Sequence, residues 1–307
     1  MRIAIIGSGG VGCFYGTRLL RAGHDVHFLM RSDLETVRRD GLHVISPDGD
    51  FRGPVNAYAT SADIGHVDLV VCSLKATALG DARALIAPCV GPDTHVLALM
   101  NGLGVEQSFA EWFGPARVYG GMAFVCINRL SPGVVRHFGY GRLSIGHFQD
   151  DLDAAGRIAA LFRDAGIQVV VPPSLNVARW EKLAWNIPFS TLSVTAGAIS
   201  TQQIIDDPGL RSVCRALMRE TIEAANAEGC NLDADPLIDK MFANTATMGH
   251  YRPSMLVDYD EKRPLEVDAI LGEPVRRAQA AGLDVPHLDM NLHLLSMLDR
   301  LNRGEVV

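Results

Sequence analysis

Lys182, Asn186 and Ser190 recur at steps of four inside RWEKLAWNIPFS, residues 179–190, a segment otherwise rich in core-type side chains. On an unbroken helix the three share one face over about 12 Å. Trp180, Leu183, Ala184 and Trp185 surround them with apolar surface. An ammonium withdrawn from water without a partner is costly, so a lysine kept there needs a partner or a task. A lysine snorkelling over tryptophan surface is the other reading of the same residues. RPLEVDAILG offers Glu266, an acid beside an apolar helix face, as a physical partner for Lys182. Lys75 ends VVCSLK and Asn101 opens NGLG, each just after a strand-like apolar run, where an open parallel sheet places its ligand. RPSMLVD adds Ser254. Three of these residues also have ordinary roles. Asn101 suits a turn before Gly102, Ser254 suits a helix N-cap, and Glu266 suits the first turn of a helix opened by Pro264. A proton donor among amide and hydroxyl groups suits delivery of hydride to a carbonyl, where the oxygen needs a proton.

A hydride source is indicated at the start of the chain. AIIGSGGVGCFYG sets Gly7, Gly9 and Gly12 in GxGxxG spacing, with Ser8, Gly10 and Val11 completing the loop. The first glycine permits a tight turn, the second lets backbone approach a pyrophosphate, and the third lets helix and strand pack closely. The helix N-terminus then faces the phosphate charge. The loop follows RIAII and leads into an apolar helix, the context a dinucleotide site requires. At the end of the second strand, FLMRSD puts Arg31 and Ser32 where an NAD site usually carries an acid for the ribose 2′-hydroxyl. A guanidinium suits a 2′-phosphate, so NADP(H) is the expected cofactor. Arg31 also reads as a solvated strand-end residue, and nearby Asp33 keeps the 2′-hydroxyl reading open.

These residues require a scaffold of two kinds. RIAIIG, DVHFLM, VDLVVCSL and THVLALM alternate with helical segments, and such near-continuous apolar strands argue for a parallel sheet covered on both faces. From Tyr119 to His147 short β-runs separated by turn residues predict an antiparallel extension, closed by a helix over 151–165 and the strand IQVVV. PPSLN, 172–176, is the boundary signal, and after it the patterns are helical only, over 210–228, 235–243, 264–281 and 287–303. The expected fold class is α/β: a Rossmann-type doubly wound domain over 1–173, then an all-α substrate or catalytic domain over 174–307.

Bulk properties narrow the partners. The 307 residues carry a formal charge of −7 without blocks of like charge, which gives no general attraction to nucleic acid or an anionic membrane. No 18-residue apolar run is present, so no membrane span is expected. The six cysteines form no CxxC pair and the ten histidines no HxxxH or HExxH pair, so neither a disulfide framework nor a zinc site is indicated. With RIAIIG directly at the N-terminus, no signal peptide is expected and a cytoplasmic location follows.

Taken together, GSGGVG, Arg31, SLK ending at Lys75, NGLG from Asn101, WEKLAWN with Lys182 and Asn186, and SMLVD…LEVDAILG with Ser254 and Glu266 resemble the 2-dehydropantoate 2-reductase (ketopantoate reductase) family over essentially the whole chain. The resemblance implies NADPH-dependent reduction of the ketone of 2-dehydropantoate to D-pantoate, in the route to pantothenate. It implies Lys182 as general acid and Glu266 as the residue that binds substrate and holds the polar network. Asn186 and Ser254 would bond the substrate, Asn101 would lie between nicotinamide and substrate, Lys75 on the cofactor side, and Arg31 at the 2′-phosphate. It also implies a homodimer. One position departs from the pattern: a second Asn followed by Pro is the family's choice where Ser190 stands, and the proline here comes earlier, as Pro188. An interior proline removes a helix hydrogen bond and disfavours α geometry at Ile187, so Ser190 is expected to be displaced from the Lys182–Asn186 face. Another 2-oxo acid or ketone as substrate, and a non-catalytic NADP(H)-sensing protein, are the alternatives.

Overall fold

A computed structural model describes residues 1–305. The chain divides into two compact units: Met1–Met100 with Val105–Leu175, and Asn101–Gly104 with the chain from Asn176 onward.

The first unit is a ten-stranded sheet with helices. Its elements run β1 (Arg2–Ile6), α1 (Gly10–Arg21), β2 (Asp25–Leu29), α2 (Leu34–Asp40), β3 (Leu42–Ile45), β4 (Phe51–Gly53), β5 (Asn56–Tyr58), α3 (Ser61–Ile64), β6 (Val67–Cys72), α4 (Leu79–Ile86) and β7 (Val90–Ala98). They continue with α5 (Val105–Phe113), β8 (Val118–Ser131), β9 (Val134–His147), α6 (Leu152–Asp164) and β10 (Val169–Val170). The strand order is β4-β3-β9-β8-β7-β6-β1-β2-β5, with β10 on β9. From β5 to β8 every pairing is parallel. β1 lies between β2 and β6, the point where a doubly wound sheet reverses and holds its ligand.

Alternation along β1 explains why both faces are covered. Ile3 and Ile5 enter a core with Phe14, Tyr15 and Leu19 of α1 and Phe162 of α6, while Cys72 and Ala98 join Ala4 and Ile6 in a second core against Ala82 and Ile86 of α4 and Phe109 of α5. β8 and β9 pair antiparallel, as expected, while β3 and β10 pair parallel to β9, and GVVRHFG and GRLSIGHF form one strand rather than two. The pair β8–β9 is a 14-by-14-residue hairpin whose register shifts at three places, so the turn residues between the two runs become bulges instead of breaks. β3, β4 and β5, absent from the sequence reading, are only three or four residues long and too short to show a period.

The second unit is helical: α7 (Leu175–Thr195, from the junction onward), α8 (Thr201–Asp206), α9 (Pro208–Ala227), α10 (Ala234–Ala246), α11 (Ser254–Asp260), α12 (Glu273–Ala280) and α13 (Pro286–Asn302). The segment expected as one helix over 264–281 is instead a π turn, Asp268–Gly272, feeding α12. Leu265 N–H is held by Asp299 Oδ1 at 3.0 Å, outside any helix. α7 does not break at Pro188. The lost hydrogen bond costs about 3 kcal/mol in a helix interior. Trp180, Leu183, Ala184, Ile187, Phe189, Leu192 and Val194 all enter one core, and each large side chain contributes roughly 1.5–3 kcal/mol on burial. Packing therefore outweighs the proline. No helix among the described residues is long and apolar enough to cross a membrane, and no group of three or more His, Cys, Asp or Glu among them is placed to hold a metal ion.

Candidate active site

The first unit shapes the glycine loop from its own backbone. Gly7 has φ +102° and lies so close to Ser73 and Leu74 that a Cβ would fall 2.6 Å from Leu74 N. A Cβ on Gly12 would fall 2.3 Å from Gly7 O and 2.4 Å from Ser73 Oγ. Ser73 Oγ donates to Gly7 O at 2.8 Å, pinning the turn to the end of β6. Ser8 Oγ donates to Leu29 O at 2.8 Å and ties the loop to the end of β2. Burial pushes the Cys13 thiol up to about 12, so it stays protonated beside Ser8 O at 3.2 Å. Val11, half-buried, packs against the core under α1.

Gly9 differs from its neighbours. Its backbone is extended (φ −79°, ψ −163°), a conformation any residue adopts, and a Cβ there would meet nothing within 4 Å. The protein's own packing has no need of glycine at this position, whereas a pyrophosphate approaching the α1 N-terminus does. Gly9→Ala is accordingly expected to keep the parent melting temperature while weakening dinucleotide binding by roughly tenfold or more. Calorimetric titration beside a thermal melt checks both halves, and unchanged affinity would exclude a phosphate at Gly9.

Arg31 is exposed and makes no polar contact among the described residues. Asp33, which kept the 2′-hydroxyl reading open, is buried and engaged. Its carboxylate accepts from Ser32 Oγ at 2.9 Å, from Gly133 N at 3.0 Å and from Arg129 Nη2. Lys75 is exposed at the end of β6, just before a short 3₁₀ turn, Ala76–Ala78.

The second unit holds a hydrogen-bonded chain of three predicted residues. Lys182 Nζ donates to Asn101 Oδ1 at 2.8 Å, and Asn101 Nδ2 donates to Glu266 Oε2 at 3.0 Å. Lys182 and Asn101 are half-buried and Glu266 is 7% exposed. Asn101 thus bonds to both the lysine and the acid that the sequence pairs. Its loop, 101–104, is seated on the π turn: Leu103 N donates to Ala269 O at 2.9 Å, and Gly102 and Gly104 take φ +93° and +86°. π turns insert a residue into a helix and re-aim the side chains around them. Here the turn begins two residues after Glu266, whose own carbonyl accepts from Ile270 N at 3.1 Å.

Because α7 is continuous through Pro188, Lys182, Asn186 and Ser190 stay on one stripe, against the displacement expected for Ser190. Asn186 is half-buried and Ser190 is 3% exposed. Thr191, Ser193 and Thr195 each donate to the carbonyl four residues back. Ser190 does not, and its hydroxyl has no hydrogen-bond partner among the described residues. Ser254 is exposed at the first position of α11, with Pro253 in the capping place, so it is not the N-cap its sequence also allowed. It makes no side-chain hydrogen bond among the described residues.

Two residues of this region escaped the sequence reading. Ser73 had a local signal, its place in VVCSLK before Lys75. Arg129 had none, because it reaches Asp33 from 96 positions away.

Residues 3–150 match the family Ketopantoate reductase PanE/ApbA, and residues 174–299 match its C-terminal counterpart. The chain belongs to the ketopantoate reductase PanE/ApbA family. A 2-dehydropantoate 2-reductase of Nostoc sp. is 40% identical over 309 aligned positions, covering 98% of this chain and 96% of the relative. The solved 2-dehydropantoate 2-reductase of Geobacter metallireducens superposes with a TM-score of 0.94 at 42% identity, over 97% of this chain and 99% of that one. The one from Methylococcus capsulatus does so with a TM-score of 0.91 at 32% identity, over 98% of each chain. Membership in this family makes the chain an oxidoreductase acting on a CH–OH group.

Proposed function

We propose that the chain reduces the ketone of 2-dehydropantoate to the alcohol of D-pantoate with NADPH, as a step toward pantothenate, with Lys182 as the acid. The observation that carries the reading is the chain Lys182–Asn101–Glu266. Ketone reduction converts a carbonyl oxygen into an alkoxide, and an ammonium beside it both stabilises that charge and supplies its proton. When bound, the nicotinamide supplies the hydride. The residues fit such a cofactor: Gly9 leaves space that the protein does not use, and Arg31 offers an exposed guanidinium where a 2′-phosphate belongs.

Lys182 Nζ gives its proton to the C2 oxygen as the C–H bond forms, and solvent then reprotonates the amine. Asn101 fixes the direction of the ammonium through Oδ1 and is itself fixed by Glu266, so the donor is aimed before substrate arrives. Glu266 balances the charge of Lys182 through the amide. Asn186 and Ser190, on the stripe that carries Lys182, and Ser254 serve as hydrogen-bonding positions for the acid and its hydroxyl group.

A second reading rests on Ser190. Its shorter side chain, with an uncommitted hydroxyl, favours a related 2-oxo acid with the same chemistry. Turnover of 2-dehydropantoate and of a panel of 2-oxo acids, followed by loss of the reduced-nicotinamide absorbance, separates the two. Preferential turnover of 2-dehydropantoate is expected. Selective turnover of another acid would move the substrate assignment, and absence of turnover with intact NADPH binding would leave a sensor. Ser190→Asn is expected to change KM among the acids by about tenfold while kcat changes less, the signature of a binding contact.

A further inference from the structure

We propose that Arg129 is a specificity-determining residue for the cofactor: it cancels the carboxylate of Asp33 and places a second guanidinium at the 2′-phosphate position. The inference rests on the NADPH reading and extends it to a residue of the β8–β9 hairpin. An acid at the end of β2 ordinarily selects NADH, because it accepts from the ribose 2′-hydroxyl and repels a phosphate. This chain retains an acid two positions after Arg31, yet that acid faces inward. Arg129 Nη2, Ser32 Oγ and Gly133 N all donate to it. The Asp33 side chain is 12% exposed, whereas that of Arg129 is 39% exposed, so the guanidinium covers the acid and still presents a face to solvent.

The placement comes from the hairpin. Ile127 lies 3.4 Å from the position a Cβ on Gly10 would take, so β8 runs alongside the phosphate loop. Two residues further along the same strand, Arg129 also donates to Ser32 Oγ at 3.3 Å. Ser8 ties that loop to Leu29 at the end of β2. Arg31 adjoins Ser32 in sequence and Arg129 reaches Ser32 Oγ from β8, so a dianionic 2′-phosphate there would meet two cations and a hydroxyl. The ribose hydroxyl of NADH would gain little from either.

The test is the pair of dissociation constants for NADPH and NADH, measured by calorimetry on the full chain without substrate. Arg129→Gln is expected to lower the NADPH-over-NADH preference by about tenfold or more, the size of a lost charge-assisted contact. Arg129→Lys should retain most of the preference. Asp33→Asn in the Arg129→Gln background should recover part of it, because the uncovered carboxylate is then gone. A thermal melt of each variant separates these effects from misfolding, which would weaken both nucleotides together. Equal affinities in the parent chain would overturn the NADPH reading and this inference with it. A parent preference that survives Arg129→Gln would overturn the inference alone. A preference lost in that variant and not recovered by Asp33→Asn would overturn the masking of Asp33.

Discussion

Lys182→Ala is expected to lower kcat by roughly 10²–10⁴-fold, the range for loss of a positioned general acid, while NADPH affinity stays within about twofold. The split follows from where the groups sit in the chain. Gly7, Gly9, Gly12 and Arg31 belong to the first unit, and Lys182 with its partners Asn101 and Glu266 belongs to the second. Removing the ammonium deletes a group that interacts more strongly with the alkoxide than with the ketone, so kcat and kcat/KM should fall together. Glu266→Gln makes the complementary case. It preserves an acceptor for Asn101 Nδ2 and removes the charge, so its loss should be smaller than that of Lys182→Ala. Steady-state kinetics beside nucleotide titration checks both variants. A Lys182→Ala protein as active as the parent would remove the lysine from the acid role.

Gly102→Ala is expected to cost about a hundredfold in kcat/KM, because it moves Asn101 without touching any reacting group. Gly102 has φ +93°, which an L side chain rarely adopts and which costs of order 1–3 kcal/mol. Its new Cβ would fall 2.5 Å from Ala269 Cβ and 2.7 Å from Ala269 O. Neither neighbour is a flexible side-chain end, so the loop must lift from the π turn. Lifting it breaks the Leu103 N to Ala269 O hydrogen bond and swings the amide that aims Lys182. A misplacement of about 1 Å can cost 10²-fold in rate. Nucleotide binding, proposed for the glycine loop of the other unit, should change little. If Gly102→Ala keeps full activity with a lowered melting temperature, Asn101 has no positioning role and the loop is structural only.

The two expectations depend on different kinds of information. Local sequence was sufficient for the glycine loop, since GxGxxG after RIAII names its turn, its close approach and its helix N-terminus within a dozen residues. Lys182 and Asn186 were also legible, because a helical period puts residues four apart on one face whatever the helix packs against. The alternating and continuous apolar runs likewise announced a parallel sheet and then a helical region. Short strands such as β4 and β5 carried too few residues for a period, and the π turn at Asp268–Gly272 has no pattern that separates it from an α-helix.

Pro188 shows a local rule losing to packing. The departure from α geometry expected at Ile187 does not occur, because a helix buried along most of its length recovers more from its core than one hydrogen bond is worth. What tertiary structure alone decided is which polar groups meet. Asn101 and Glu266 are 165 positions apart, Lys182 and Asn101 are 81 apart, and Asp33 and Arg129 are 96 apart. Periodicity and capping act over a few residues and hold no information about such pairs. Folding determines them by giving each buried donor an acceptor and each buried charge an opposite one. The sequence by itself therefore named the lysine, the amide, the acid and the glycine loop. Only the folded chain put the amide between the lysine and the acid, and turned Asp33 toward Arg129 rather than toward a ribose.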